Sequence, residues 1–341
     1  MKSDSGTIEK NFDAATLGTE RHFFIPVFTQ SRSNADVHRP ETLIALKEQA
    51  YNTMTTPQPE TSPDYPPKSA AHTQPGFPPA LEVQGLSKRF GNKIAVNNLH
   101  LTVPKGVIYG IVGPNGAGKT TMLNMATGLL RPDYGQAFIC GHDMWNDPIP
   151  AKQAMGLLAD GLPVFDRLTG AEYLEYLGAL RGLDASEITS RAKDLLRALG
   201  LEEAWDKKIM DYSAGMTKKI LLAGALQHNP EVLILDEPLE AVDPVSGRII
   251  QQILKTYASS GGTVILSSHV MELVEGLCDQ VAIIHQGTVR VAGPVAELRG
   301  TQANLTDLFI SVVGGGELAE GSLGWLHQHH STNGENTQSQ D

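Results

Sequence analysis

Cys140 and Cys278 are the only cysteines in 341 residues. That is too few for a disulfide framework and fits a reducing compartment. Long hydrophobic runs are missing as well: no stretch approaches the roughly 18 apolar residues of a membrane span. The patch FFIPVF is short and broken by Pro26, and the opening MKSDSGTIEKNFDAATLGTE has no apolar segment of the signal-peptide kind. Positive charge is in deficit, with 27 Lys and Arg against 38 Asp and Glu and a net charge of −11. This argues against gripping nucleic acid by bulk charge, because phosphate backbones need a basic face. We therefore expect a protein that is itself soluble. Hydrophobic residues make up 41% of the chain, ample for a globular core. The length suits about two domains, or one α/β domain with a tail.

The most informative stretch is VIYGIVGPNGAGKTT, at residues 107–121. Val107, Ile108, Ile111 and Val112 form a short β-branched run that reads as a buried strand. Gly113, Pro114, Asn115, Gly116, Ala117, Gly118, Lys119 and Thr120 then satisfy G-x-x-x-x-G-K-[ST], Thr121 follows, and MLNMATGLL has helical character. A strand, a glycine-rich turn and a helix form the context of a phosphate-binding loop. Curled backbone N–H groups and the helix N-terminus converge on one anion. Lys119 is expected to reach the β- and γ-phosphates, and the Thr120 hydroxyl to ligate Mg²⁺.

Taken in order, residues 1–79 read as a disordered extension. HRPETLIALKEQAYNTM could form a short amphipathic helix, and eight of the twenty prolines fall between positions 57 and 79, where composition favours an extended linker. Met54 opens a second plausible start, so the first 53 residues are either an upstream overcall or a disordered arm. LEVQGL and KIAVNNLHLTV read as antiparallel strands, QAFIC and MGLLA as further strands, and residues 160–210 as mostly helical. Gly200 supplies a helix stop, and Ser213 stands at an N-cap position. From VLILD onward strand and helix alternate, which implies a largely parallel sheet flanked by helices. Beyond residue 314 the chain turns polar, and His327, His329 and His330 read as part of a flexible tail rather than a metal site.

Four more segments carry chemistry. VLILDEP puts Asp236 and Glu237 at the end of a buried strand, the edge where open parallel sheets meet ligands. Asp236 fits the acid that holds Mg²⁺, and Glu237 a general base that polarises water. TVILSSH places His269 at another strand end, where it either is structural or reaches a γ-phosphate. DYSAGM opens a helix with Ser213 and Gly215, a second anion-binding end. EAVDP carries Asp243 toward a possible interface.

GPNGAGKTT, YSAGM, LILDEP and SSH, in this order and spacing, resemble the ATP-binding subunit of an ATP-binding cassette (ABC) transporter, most closely the ABC-2-type exporter ATPases. The resemblance runs over residues 81–313. It implies an α/β P-loop fold: a largely parallel core sheet, an N-terminal antiparallel β subdomain and an inserted helical subdomain at about 160–227. The cassette would fill residues 80–314, and 315–341 would be tail. The resemblance also implies head-to-tail dimers, with itself or a related subunit, that sandwich ATP between the phosphate loop of one copy and Ser213 and Gly215 of the other. Phe90 would stack on adenine. Partners would be membrane-spanning permease subunits, placing the protein at the inner face of the cell membrane, with export the expected direction and no nucleic acid bound. Three departures stand out: YSAGM replaces LSGGQ, EAVD replaces SALD, and Asp160 stands where a glutamine is expected. Asp160 either joins the Mg²⁺ shell or only caps a turn. The alternative functions are a soluble ABC ATPase and a regulatory module uncoupled from transport.

Overall fold

The computed structural model describes residues 78–161, 164–300 and 304–314. The proposed extension up to residue 77, Met54, the possible early helix and the tail histidines lie outside the described residues.

The N-terminal strands β1 (Leu81–Phe90) and β2 (Lys93–Val103) pair antiparallel, joined by a tight turn at Gly91. They build a sheet with β4 (Tyr134–Ile139) and β5 (His142–Asp143) in the order β2-β1-β4-β5. The second sheet holds β3 (Ile108–Val112), β6 (Met155–Leu158), β7 (Val232–Leu235), β8 (Thr263–Ser268), β9 (Gln280–His285) and β10 (Thr288–Pro294). Its order is β10-β9-β3-β8-β7-β6. Every pairing from β9 through β6 is parallel, and β10 adds an antiparallel edge.

β3, β7 and β8 are buried along their whole length, which is why they read as continuous apolar runs rather than alternating ones. Their side chains nevertheless divide by the two-residue period of a strand. Tyr109, Ile111, Ile234 and Ile265 join one core with β1, β2, β4 and helix α1 (Lys119–Ala126). Ile108, Val112, Leu233, Leu235, Val264 and Leu266 join the other, beneath α6 (Pro244–Ser259) and α7 (Met271–Leu277).

The second core continues into α3 (Gly170–Leu180), α4 (Ala185–Ala198) and α5 (Ala214–Leu226). Thr169 starts α3 with a reciprocal capping box: its Oγ1 accepts from Glu172 N at 3.2 Å, and Glu172 Oε2 accepts from Thr169 N at 2.8 Å. After α4, Gly200 takes a left-handed turn at φ 64. Helix α2 (Pro148–Ala154) and helices α8 (Val295–Arg299) and α9 (Leu305–Val313) complete the described chain. The sequence reading shortens β1, which runs on to Phe90, and gives no element to α2 or α9. Cys140 and Cys278 are buried free thiols. No helix among the described residues is long and apolar enough to cross a membrane.

Candidate functional site: a nucleotide cavity at the strand ends

The loop between β3 and α1 is fixed by close packing. A Cβ on Gly113 would stand 2.3 Å from the carbonyl oxygen of Ile284. Gly118 sits at φ 105, with its own hypothetical Cβ 2.5 Å from Ala95 O. Only glycine satisfies both demands. Gly118 is also the N-cap of α1 and offers no capping side chain, so first-turn N–H groups stay open toward the cavity. Lys119 is only 6% exposed, and its Nζ donates to Gly113 O at 2.8 Å and Pro114 O at 3.5 Å. Burial pulls its pKa below the ordinary lysine value, while the nearby Glu237 and Asp236 charges oppose that pull.

Asp236 and Glu237 follow β7 directly. Asp236 N donates to Leu158 O at 2.7 Å, and its Oδ1 accepts a hydrogen bond from the Ser267 hydroxyl. Its Oδ2 is buried with no hydrogen-bond partner. Glu237 adopts φ +48, a left-handed conformation uncommon for a non-glycine residue. Its N–H donates to Ser267 Oγ at 2.9 Å. Its Oε1 lies 3.1 Å from His269 Nδ1 and 3.9 Å from Lys119 Nζ. An ionised carboxylate only accepts, so in that state Nδ1 carries the imidazole proton of this contact.

Lys119, Glu237 and His269 border one open cavity of about 470 Å³, while Asp236 is buried beside Glu237 and is not part of its lining. Its lining also includes Asn115 to Thr121, Glu240, Phe90, Lys93 and Ala95. Phe90 is half exposed, with Lys88 Nζ 5.8 Å from its ring centroid; it is not a core aromatic. Gly113 and Pro114 meet the site through their carbonyls on Lys119. Asp160 also lines the cavity, two residues past β6, and its carboxylate is 3.4 Å from Lys218 Nζ on α5. The sequence reading misses Lys93, Glu240, Lys218 and Ser267. Only the last carried a signal, being a polar residue next to the end of an apolar strand.

Ser213, Gly215 and Asp243 do not line this cavity. Ser213 caps α5, its Oγ accepting from Met216 N at 3.2 Å. Asp243 caps α6 through Val245 N and Ser246 N at 3.1 and 3.0 Å. Gly215 packs beside the chain leading to Asp243; a Cβ there would stand 3.2 Å from Ala241 O.

The family model described as "ABC transporter" matches residues 96–240. The ABC transporter ATP-binding protein NatA of Bacillus subtilis is 38% identical over 223 residues, covering 64% of this chain and 91% of that protein. The chain belongs to the ABC transporter ATP-binding family. Another ABC relative, the daunorubicin/doxorubicin resistance ATP-binding protein DrrA of Streptomyces peucetius, is 36% identical over 222 residues, covering 65% and 67% of the two chains. Among solved structures, an ATP-binding subunit of an ABC transporter superposes with TM-score 0.64 at 26% identity, over 68% of this chain and 99% of that one. A dimeric ATP-binding cassette in a post-hydrolysis state, bound to ADP and Pi, gives TM-score 0.58 at 25% identity, over 63% and 98%. The α/β P-loop architecture and the ATPase class of the ABC family therefore hold for this chain.

Proposed function

We propose that this ABC ATPase binds Mg-ATP in the 470 Å³ cavity and hydrolyses it to drive export through separate membrane-spanning subunits. The observation that carries the assignment is the convergence on that cavity of Phe90, the phosphate loop, Glu237 and His269. Phe90 stacks on adenine. N–H groups of the loop and the α1 N-terminus receive the phosphates, and Lys119 leaves its carbonyl partners for the β- and γ-oxygens. Mg²⁺ would be held by the Thr120 hydroxyl and the unpartnered Asp236 Oδ2, with Asp160 able to join its shell. That donor set suits a cation that completes its shell with phosphate and water. Mg²⁺ there would neutralise charge on the phosphate oxygens.

Glu237 takes a proton from the attacking water as the new O–P bond forms and the bond from the γ-phosphorus to its bridging oxygen breaks, releasing ADP and phosphate. His269 holds the Glu237 carboxylate in place. Ser213, Gly215 and Asp243 lie away from the cavity of their own chain and serve the nucleotide of a second subunit in a head-to-tail dimer. Membrane attachment, on the inner face, is through the permease. The similar daunorubicin/doxorubicin resistance ATP-binding protein DrrA and a Nod factor export ATP-binding protein of Burkholderia lata, 37% identical over 211 residues, support the export direction.

The test is Glu237→Gln in purified protein. Hydrolysis should fall by a factor of about 100 or more, while ATP binding persists and an ATP-bound dimer accumulates on size exclusion. Hydrolysis at the wild-type rate would overturn the assignment of the base.

A further inference from the structure

We propose that Ser267 is the positioning residue of the cleavage site, one hydroxyl that aims the Asp236 carboxylate and the Glu237 peptide together. The inference rests on the reading of Asp236 as a Mg²⁺ ligand and Glu237 as the base.

β8 is a central strand buried at every position, where an apolar side chain would be the ordinary choice. Ser267 has no exposed surface, so its polar atom needs partners. A serine hydroxyl has one hydrogen to give and lone pairs to receive. Here the hydrogen goes to Asp236 Oδ1, and a lone pair receives the Glu237 N–H at 2.9 Å. Both interactions therefore land on the acidic pair.

Two consequences follow from this geometry. With Oδ1 committed to Ser267, Asp236 keeps its other oxygen, Oδ2, buried and unpartnered, so Ser267 selects which oxygen faces a cation. The Asp236–Glu237 segment is also tied from both flanking strands: Asp236 N to the O of Leu158, the last residue of β6, and Glu237 N to Ser267 on β8. This double attachment holds Glu237 at φ +48, a conformation that persists only where its surroundings over-determine it. From there its carboxylate reaches His269.

The experiment uses the full chain and measures binding of a fluorescent ATP analogue with Mg²⁺ and with EDTA, steady-state kcat and KM, and the melting temperature without nucleotide. In Ser267→Ala, the extra affinity conferred by Mg²⁺ should drop about 10-fold or more and kcat about 10- to 100-fold, as for residues that orient metal ligands. Affinity in EDTA should stay at the wild-type value. Ser267→Cys keeps nearly the same volume with a weak donor and should show the same loss; Ser267→Thr keeps the hydroxyl and should recover function. If Ser267→Ala does not fold, Ser267→Cys decides. Wild-type Mg²⁺ dependence and kcat in either variant overturns the proposal. Asp236→Asn separates the two levels of the argument. If it loses the Mg²⁺ effect while Ser267→Ala keeps it, only the positioning role falls. If Asp236→Asn itself keeps the effect, the reading of Asp236 falls too.

Discussion

Lys119 is held by two backbone carbonyls and faces Glu237 at 3.9 Å. Its ammonium is therefore aimed before any phosphate arrives. Lys119→Ala should weaken ATP binding about 10- to 100-fold, the range for losing a charge-assisted hydrogen bond, as titration with a fluorescent nucleotide would register. A second single-residue effect lies away from the cavity. His228, just past α5, is half-buried, with Nε2 3.1 Å from Met155 O. Burial first, then the Arg181 and Arg191 charges, bring its pKa from 6.5 to about 4. Between those two values the unfolded chain binds more protons than the folded one, so stability is lost as pH falls through that window. His228→Gln should show a smaller drop in urea midpoint between pH 7 and pH 5 than wild type; an equal drop would place the proton elsewhere. At this scale the sequence was legible where residue type and motif spacing coincide, as at Lys119, Glu237 and His269, which the fold brings to one cavity. Ser267 and Lys218 were not, because each matters through a partner 31 or 58 positions away.

Elements were legible where one period dominated. α4 carries Ile188, Ala192 and Leu196 on its buried face, and α6 carries Ile250 and Leu254 on its own. α9 is different: LTDLFISVV is apolar on several sides, and a short run of that kind suits strand or helix equally. α2 starts with Pro148 and carries Pro150 in its first turn, where proline is tolerated in a helix but reads in sequence as loop. The helical arm begins at the Thr169 capping box, whose two hydrogen bonds start α3 nine residues after Asp160. Thr169→Ala should cost about 1 kcal/mol, visible as a lower denaturant midpoint at unchanged slope. Thr169→Ser should restore most of it, since the hydroxyl is what accepts Glu172 N.

On the scale of the whole molecule, the division into a parallel core, an antiparallel sheet and a helical arm could be read from the order of segments, but not the contact that joins arm to cavity. Asp160 stands on the cavity wall and meets Lys218 of α5 at 3.4 Å, and α5 is the helix that Ser213 caps. One carboxylate thus touches both the nucleotide cavity and the helix whose N-terminus we assign to the partner subunit's nucleotide. The ion pair itself is partly exposed and contributes about 0–1 kcal/mol, so its value is not stability. A hard carboxylate oxygen suits Mg²⁺ at least as well as the amide oxygen that ABC proteins are expected to have here. We propose that, with Mg-ATP bound, Asp160 would leave Lys218 for the cation shell and so free the arm to move with the permease. Asp160→Ala should therefore keep ATP binding and the melting temperature near wild type but lose the stimulation of ATPase activity by the membrane subunits. Asp160→Gln, which keeps an oxygen ligand without the charge, should recover much of that stimulation, and Lys218→Ala should raise the unstimulated rate by removing the competing partner. Activity measured with and without the permease decides the matter: equal stimulation in Asp160→Ala and wild type would leave Asp160 as a turn-capping residue and nothing more.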